Sequence, residues 1–306
     1  MKIIQNETDA LAVYKKQGDL FMKNRVIFGI LCGLLGIAIV IFPFSPLPDV
    51  VVFVVTLMAV FELEKSIGVK NKFVYGLSLL FSAATLAYHS YSELISFSVP
   101  ILPIVIVYSM IMLITIVADF GKTKFEHVGL SILFSLLMPT AIGCFLRMRN
   151  MTEQYGGLLT RGHIRFLVWF CLAGAVFADT FALFAGIKLG KHKLCPRVSP
   201  KKTVEGAIGG VVGSAVINII ALFVCNWLCY KPFPVPVWFM IILAFLVPVV
   251  SMFGDLIAST IKRNYGIKDF GNLIPGHGGI MDRLDSISMV APFVYCVLLF
   301  SLKVFS

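Results

Sequence analysis

The sequence predicts an all-α fold, a polytopic helical bundle embedded in a membrane, with about nine transmembrane helices and a cytoplasmic N-terminus. Three observations predict it. Of the 306 residues 58% are apolar and only 14% charged, with a mean hydropathy of +0.93, far from the balance of a water-soluble domain. Apolar stretches of about 17 to 24 residues recur along the chain, each long enough to cross a hydrocarbon core of roughly 30 Å as a helix. In lipid a helix satisfies its own backbone polar groups, so spanning helices are the simplest reading of those stretches.

Taken in order, the spans fall at 26–42, 50–63, 73–89, 97–118, 128–146, 166–187, 206–228, 237–260 and 286–304. They divide the chain into an N-terminal region, 1–165, with an amphipathic start and five spans, and a C-terminal region, 166–306, with two polar loops at 188–205 and 261–285. The first 25 residues carry Lys15, Lys16, Lys23 and Arg25 with no apolar run followed by a small-residue cleavage site, which argues against a cleaved signal peptide. With the N-terminus inside, 20 of the 26 Lys and Arg residues fall on inner segments and 6 on outer ones, the bias expected of a cytoplasmic N-terminus. The discordant segment is 147–165, whose Arg147, Arg149, Arg161 and Arg165 fall outside. The seven cysteines form no C-x-x-C pair and lie mostly in apolar runs, as reduced packing residues do.

The two polar loops share the inner side and hold 10 of the 26 basic residues. Orientation and attraction to anionic lipid account for a net charge of +10, but not for its concentration there. Carboxylates accompany it. Asp179 in "VFADTFALF" and Asp255 in "VSMFGDLIAST" are flanked by apolar residues, where an ionised side chain is costly unless paired, hydrated or bound to a cation. Asp255, Ser259 and Lys262 follow a helical stripe at i, i+4 and i+7, and Pro248 precedes them as a point of bending. Asp282 and Asp285 stand at i and i+3 where the last span begins. N-capping explains one such acid, but not both in addition to Asp255. Hard oxygen donors without a His/Cys cluster favour Mg²⁺ over Zn²⁺, and Mg²⁺ completes its shell with water and phosphates.

"KHKLCPRVSPKKTVEG" (191–206) offers Lys201 and Lys202 beside Ser199 and Thr203, and "IKRNYGIKD" adds Lys262, Arg263 and Lys268; both suit a polyphosphate or a phospholipid headgroup. The glycines of "PGHGG" (275–279), Gly278 and Gly279 among them, permit left-handed turns and close approach of backbone N–H groups to an anion. His277 lies in the same loop. "DFGKT" (119–123) lacks the earlier glycine of a phosphate-binding loop, which excludes an ATPase of that type. "GAIGGVVGS" (206–214) has G-x-x-x-G spacing, a helix-packing device without chemistry.

"STIKRNYGIKDFGNLIPGHGGIMDRLDS" (259–286) resembles the signature of the CDP-diacylglycerol synthase, or phosphatidate cytidylyltransferase, family. "SPKKTVEGAIGG" (199–210) and "ADTFALFAGIKLGKHK" (178–193) resemble further segments of it, so that about 110 residues carry the likeness. The family commonly has Tyr at the place of Leu183, Arg at Ile187 and Trp at Val204. The resemblance implies transfer of a cytidylyl group from CTP to phosphatidic acid, with release of pyrophosphate; the loop charges place the site at the cytoplasmic face, and the short N-terminus without a transit peptide points to a bacterial inner membrane. The resemblance also implies Asp255 and Asp282 as Mg²⁺ ligands with no protein general base required, Asp285 beside them, and Asp179, Glu205 and Ser259 in support. Ser199, Lys201, Lys202, Thr203, Lys262, Arg263, Lys268, Gly278, Gly279 and Arg283 are the implied phosphate-binding set, and His277 a ligand or positioning group. A second cation and a second copy of the chain are compatible with it, and nucleic acid is not an expected partner. Two other readings remain open at this point: a CTP-dependent kinase of another lipid acceptor, and a cation-coupled transporter using the intramembrane acids.

Overall fold

The computed structural model describes residues 29–91, 100–155, 157–229, 231–273 and 278–305. Among these residues every expected span contains a helix. In chain order they are α1 (Gly29–Ile41), α2 (Pro46–Ser66), α3 (Lys72–Tyr91), α4 (Ile101–Ala118), α5 (Phe125–Gln154), α6 (Arg161–Leu189), α7 (Val204–Leu228) and α8 (Val237–Asn264), then the single-turn α9 (Met281–Leu284) and α10 (Ile287–Phe305). Seven helices, the last running from Met281 to Phe305, are long and apolar enough to cross a membrane. The described part of α1 is shorter, and α3, at 20 residues, is interrupted by Tyr75, Ser78, Ser82, Thr85, Tyr88 and His89. The amphipathic start, residues 1–25, lies outside the described residues.

Several helices run past the expected spans. α5 continues to Gln154 rather than ending near 146, and α6 begins at Arg161 rather than 166. The division drawn at 165/166 therefore falls within α6, and the connection between the two helices is only 155–160. Thr160 and His163 form a capping box, Thr160 Oγ1 accepting from the His163 N–H and His163 Nδ1 from the Thr160 N–H, both at 3.2 Å. The usual sequence sign of that box is Glu or Gln at the third helical position; with His there it went unread. The discordant arginines have left the loop with it. Arg149 pairs with Asp49 of α2, Arg147 donates to His89 of α3, and the Arg161 guanidinium lies 5.3 Å from the Phe44 ring centre. Arg147 and Arg149 thus lie on α5 and Arg161 at the start of α6, rather than in a loop.

α6 and α7 pack closest of all. Gly206, Gly209, Gly210 and Gly213 of α7 lie against Ala182, Ala185, Ala178 and Phe181 of α6, and a Cβ on any of them would collide. This is the backbone approach that G-x-x-x-G spacing allows. One apolar cluster joins α5, α6, α7, α8 and α10 around Phe170, Leu222, Val247 and Leu298; another joins α2, α3 and α5 to α8 and α9 around Leu63, Leu86, Ala258 and Met281. The N-terminal and C-terminal helices thus share a core through α5. Large apolar side chains such as Leu80, Val117, Ile220, Trp227 and Phe300 cover the outside, as lipid-facing positions do.

The loop expected at 188–205 contains the described residues' one sheet: β1 (Lys193–Cys195) and β2 (Ser199–Thr203), antiparallel, with Lys193 opposite Thr203 and Cys195 opposite Ser199. Thr203 ends the hairpin by capping α7, its Oγ1 accepting from the Gly206 N–H at 3.1 Å.

Candidate active site

The hairpin is tied down at its base. Glu205 in the first turn of α7 accepts from His192 Nδ1 at 2.6 Å and from the backbone N–H groups of Lys191 and His192 at 3.0 and 3.2 Å. Gly190 lets α6 end against Thr203, where a Cβ would collide. Glu205, expected in support of the site, is thus the anchor of the strand that carries Lys201 and Lys202. Arg263, at the end of α8, donates from Nε to the carbonyl of Val198 in the hairpin turn at 3.3 Å.

Fixed this way, β2 forms an ion pair across to α8: the Lys202 ammonium meets the Asp255 carboxylate, each about one quarter exposed. Two turns further along α8, Lys262 is buried and donates to Asp282 Oδ1 at 2.7 Å. Ser259, between them, is buried too. The stripe read from spacing therefore presents one acid and one base, each already paired with a neighbouring segment.

Asp282 has further partners. Its Oδ2 accepts from the backbone N–H groups of Phe270 and Gly279, both at 2.9 Å, which closes the loop before α9 upon itself. Asp285, at the end of α9, is buried, with Oδ1 accepting from the Ser286 N–H at 2.8 Å. Its corner packs on Gly254 of α8, where a Cβ would run into the Asp285 carbonyl. The charges of Asp179, Asp255 and Asp285 act on one another, and Lys202 and Arg283 act on Asp179. Four elements, α6, β2, α8 and the α9–α10 corner, converge at one end of the bundle.

Beside them lies a cavity of about 370 Å³ between α6, the hairpin, α7 and α8. Asp179, Lys201, Lys202 and Thr203 form its polar side, while Leu183, Ile187 and Leu194 give it an apolar one. Leu183 and Ile187, two of the positions at which this chain departs from the family pattern, are both largely exposed. Lys268 and Arg283 are at the surface of the same end. Gly278 has φ +84°, the left-handed conformation that glycine adopts without strain. His277 lies outside the described residues.

One residue of this end went unnoticed in the sequence. Glu62, in the last turns of α2, is 2% exposed, and its Oε2 accepts from the Met281 N–H at 2.9 Å. Gly271 and Gly279 close over its carboxylate, with no room for a Cβ on either. The signal was available: "FELEK" puts two acids in an apolar helix, as around Asp179. Glu62 falls within the expected span 50–63 and Glu64 just beyond it; α2 runs to Ser66 and takes in both.

Of the two expected Mg²⁺ ligands, Asp255 is about one quarter exposed, whereas both oxygens of Asp282 accept from Lys262 and two backbone N–H groups. Among the described residues no three His, Cys, Asp or Glu side chains converge closely enough to hold a metal by themselves. Mg²⁺ asks for less, one or two carboxylates with water and substrate phosphates completing its octahedron. Asp255 is reachable from water, and the lysines beside it suit phosphates.

A family model described as cytidylyltransferase family matches residues 23–301. The chain is 32% identical over 281 residues to a phosphatidate cytidylyltransferase of Bacillus subtilis (strain 168), covering 90% of this chain and 97% of that one. It is 38% identical over 162 residues to a phosphatidate cytidylyltransferase of Haemophilus influenzae, 52% of this chain and 53% of that one. Over 128 residues, 39% of this chain and 44% of the relative, it is 41% identical to a phosphatidate cytidylyltransferase of Thermotoga maritima. The likeness thus extends from the C-terminal motifs through the N-terminal helices, and the chain belongs to the cytidylyltransferase family.

Proposed function

We propose that this protein transfers the cytidylyl group of CTP to phosphatidic acid, giving CDP-diacylglycerol and pyrophosphate for phospholipid synthesis, at the cytoplasmic face of a bacterial inner membrane. The observation that carries the proposal is the pair of adjoining Lys–Asp contacts, Lys202 with Asp255 and Lys262 with Asp282, at the end of an otherwise apolar bundle. Each places a carboxylate suited to a cation beside an ammonium suited to a phosphate.

In this reading a phosphate oxygen of the lipid attacks the α-phosphorus of CTP. The bond to the β-phosphate breaks in line, and pyrophosphate leaves with the electron pair. The attacking phosphate monoester needs no protein base, since its second pKa is about 6. Asp255 and Asp282 would hold Mg²⁺, with Asp285 and Asp179 adding negative charge nearby. Bound there, the cation would neutralise the triphosphate and the departing pyrophosphate. Lys202 and Lys262 then exchange their carboxylate partners for phosphate oxygens, and Lys201, Arg263, Lys268 and Arg283 surround them with positive charge. Leu183 and Ile187 give the acyl chains an apolar approach to the cavity from the side.

The test is incubation of the purified protein with Mg²⁺, phosphatidic acid and CTP labelled at either the α- or the γ-phosphorus. The proposal expects α-label in the lipid and γ-label in pyrophosphate. Transfer of γ-label to the lipid would identify a CTP-dependent kinase instead. No label in lipid, with cation uptake by proteoliposomes, would favour a transporter.

A further inference from the structure

We propose that Glu62 of α2 is a positioning residue for the reaction, the means by which the N-terminal helices hold the loop that carries Asp282; this rests on the cytidylyl-transfer reading above. Three observations meet in one carboxylate. Glu62 Oε2 takes the backbone N–H of Met281, the residue before Asp282, at 2.9 Å across 219 positions of sequence. Gly271 and Gly279, at either end of the loop, have their Cα atoms against the same carboxylate, where any larger residue would collide. Asp282 holds the loop from the other side through the N–H groups of Phe270 and Gly279.

Phe270, Gly271, Gly279 and Met281 are therefore gripped by two carboxylates, one from the adjoining Asp282 and one from a helix that otherwise has no share in the site. Glu62 is almost fully buried, so its negative charge is not a solvated surface feature. Holding a carboxylate there is costly, and a leucine of similar size would avoid that cost. What leucine lacks is an acceptor. Without one, the Met281 N–H is buried with no partner, and the backbone next to Asp282 is free to move. Asp282 in turn fixes Lys262, and displacement of reacting groups by about 1 Å can cost on the order of 10²-fold in rate. Apart from the backbone of Gly279, Glu62 touches no position assigned to substrate; it acts through Gly279, Met281 and Asp282.

The test compares Glu62→Leu with Glu62→Gln, whose side-chain carbonyl keeps an acceptor. Glu62→Leu is expected to lower kcat by about 10- to 100-fold with a smaller change in the KM for CTP, and Glu62→Gln to stay within about threefold of the native enzyme. Independently of activity, amide hydrogen exchange of the peptide covering 279–285 should speed up in Glu62→Leu and not in Glu62→Gln, with peptides of α7 unchanged. Leu222→Ala, a buried residue of the other apolar cluster, serves as the control for general destabilisation, and is expected to lower thermal stability without the local exchange signature. Native kcat in Glu62→Leu, equal impairment of the Gln and Leu variants, or the same exchange pattern in Leu222→Ala would each overturn the proposal. If the native protein makes no CDP-lipid, the reaction is misassigned, whereas the exchange measurement still decides whether Glu62 holds the loop.

Discussion

The Lys202 ammonium of β2 and the Asp255 carboxylate of α8 form an ion pair that joins the hairpin to a helix lying beyond the whole of α7. It ties a basic strand, exposed on its own, to an acid inside an apolar helix, and each makes the other's position tolerable. The pair is open enough to exchange partners for the cation and polyphosphate proposed above.

That openness separates the two acids of the site. Asp255→Asn removes a partly exposed charge with one ion-pair partner, and should abolish CDP-lipid formation while the unfolding temperature of the purified protein changes little. Near-native turnover in Asp255→Asn would remove it from the cation site.

Asp282 is different, because it also organises backbone. Asp282→Asn takes from the buried Lys262 its ion-pair partner and weakens the hold on the Phe270 and Gly279 N–H groups. A loss of about 3 kcal/mol or more accompanies the inactivation, the range for breaking a buried pair on one side. Thermal unfolding in detergent checks this, and the double variant with Lys262→Met should recover part of the stability but none of the activity.

Gly254→Ala probes the corner between α8 and α10. The new methyl meets the Asp285 carbonyl and the Ser286 Cα, so the corner has to move. We expect turnover to fall about tenfold for a stability loss of about 1–3 kcal/mol, the usual scale of overpacking. Steady-state kinetics with CTP varied, at saturating lipid, measures it; unchanged kcat would mean that the position of Asp285 is not critical.

At the other end of the molecule, Arg149→Ala should behave in the opposite way. Arg149 binds Asp49 and lies near Ser90, stitching α2, α3 and α5 far along the chain from the Lys–Asp pairs. Its removal should cost about 2 kcal/mol of stability and leave kcat unaffected at temperatures where the protein is folded.

Sidedness can be read by labelling. Lys122→Cys and Lys231→Cys, in a background without the exposed Cys32 and Cys296, are expected to react with an impermeant maleimide from opposite sides, Lys122→Cys from the cytoplasm. Equal labelling from one side would overturn the arrangement of spans.

Much of the molecule was legible in advance because it is written along the chain. Apolar runs gave the helices, since lipid forces any spanning segment to bond with itself, and Gly206, Gly210 and Gly213 announced close packing that the α6–α7 contact displays. The Asp255–Ser259–Lys262 stripe followed from helical spacing alone. Helix ends were less legible. α5 and α6 overrun their apolar segments because Arg147 and Arg149 find partners on neighbouring helices and His163 caps its own helix, so polarity in the sequence looked like loop.

The amino-acid order by itself determined the membrane-embedded α-helical class, the placement of the helices and which polar residues would be costly in lipid, because composition and periodicity are local properties. Only the tertiary structure decided which charges meet: that Lys202 faces Asp255, that Asp282 is occupied by Lys262 and two backbone amides, and that Glu62 reaches Met281. Burial of a charge requires a partner, but the partner's address is set by how helices pack, and no spacing along one helix encodes a neighbour 219 residues away.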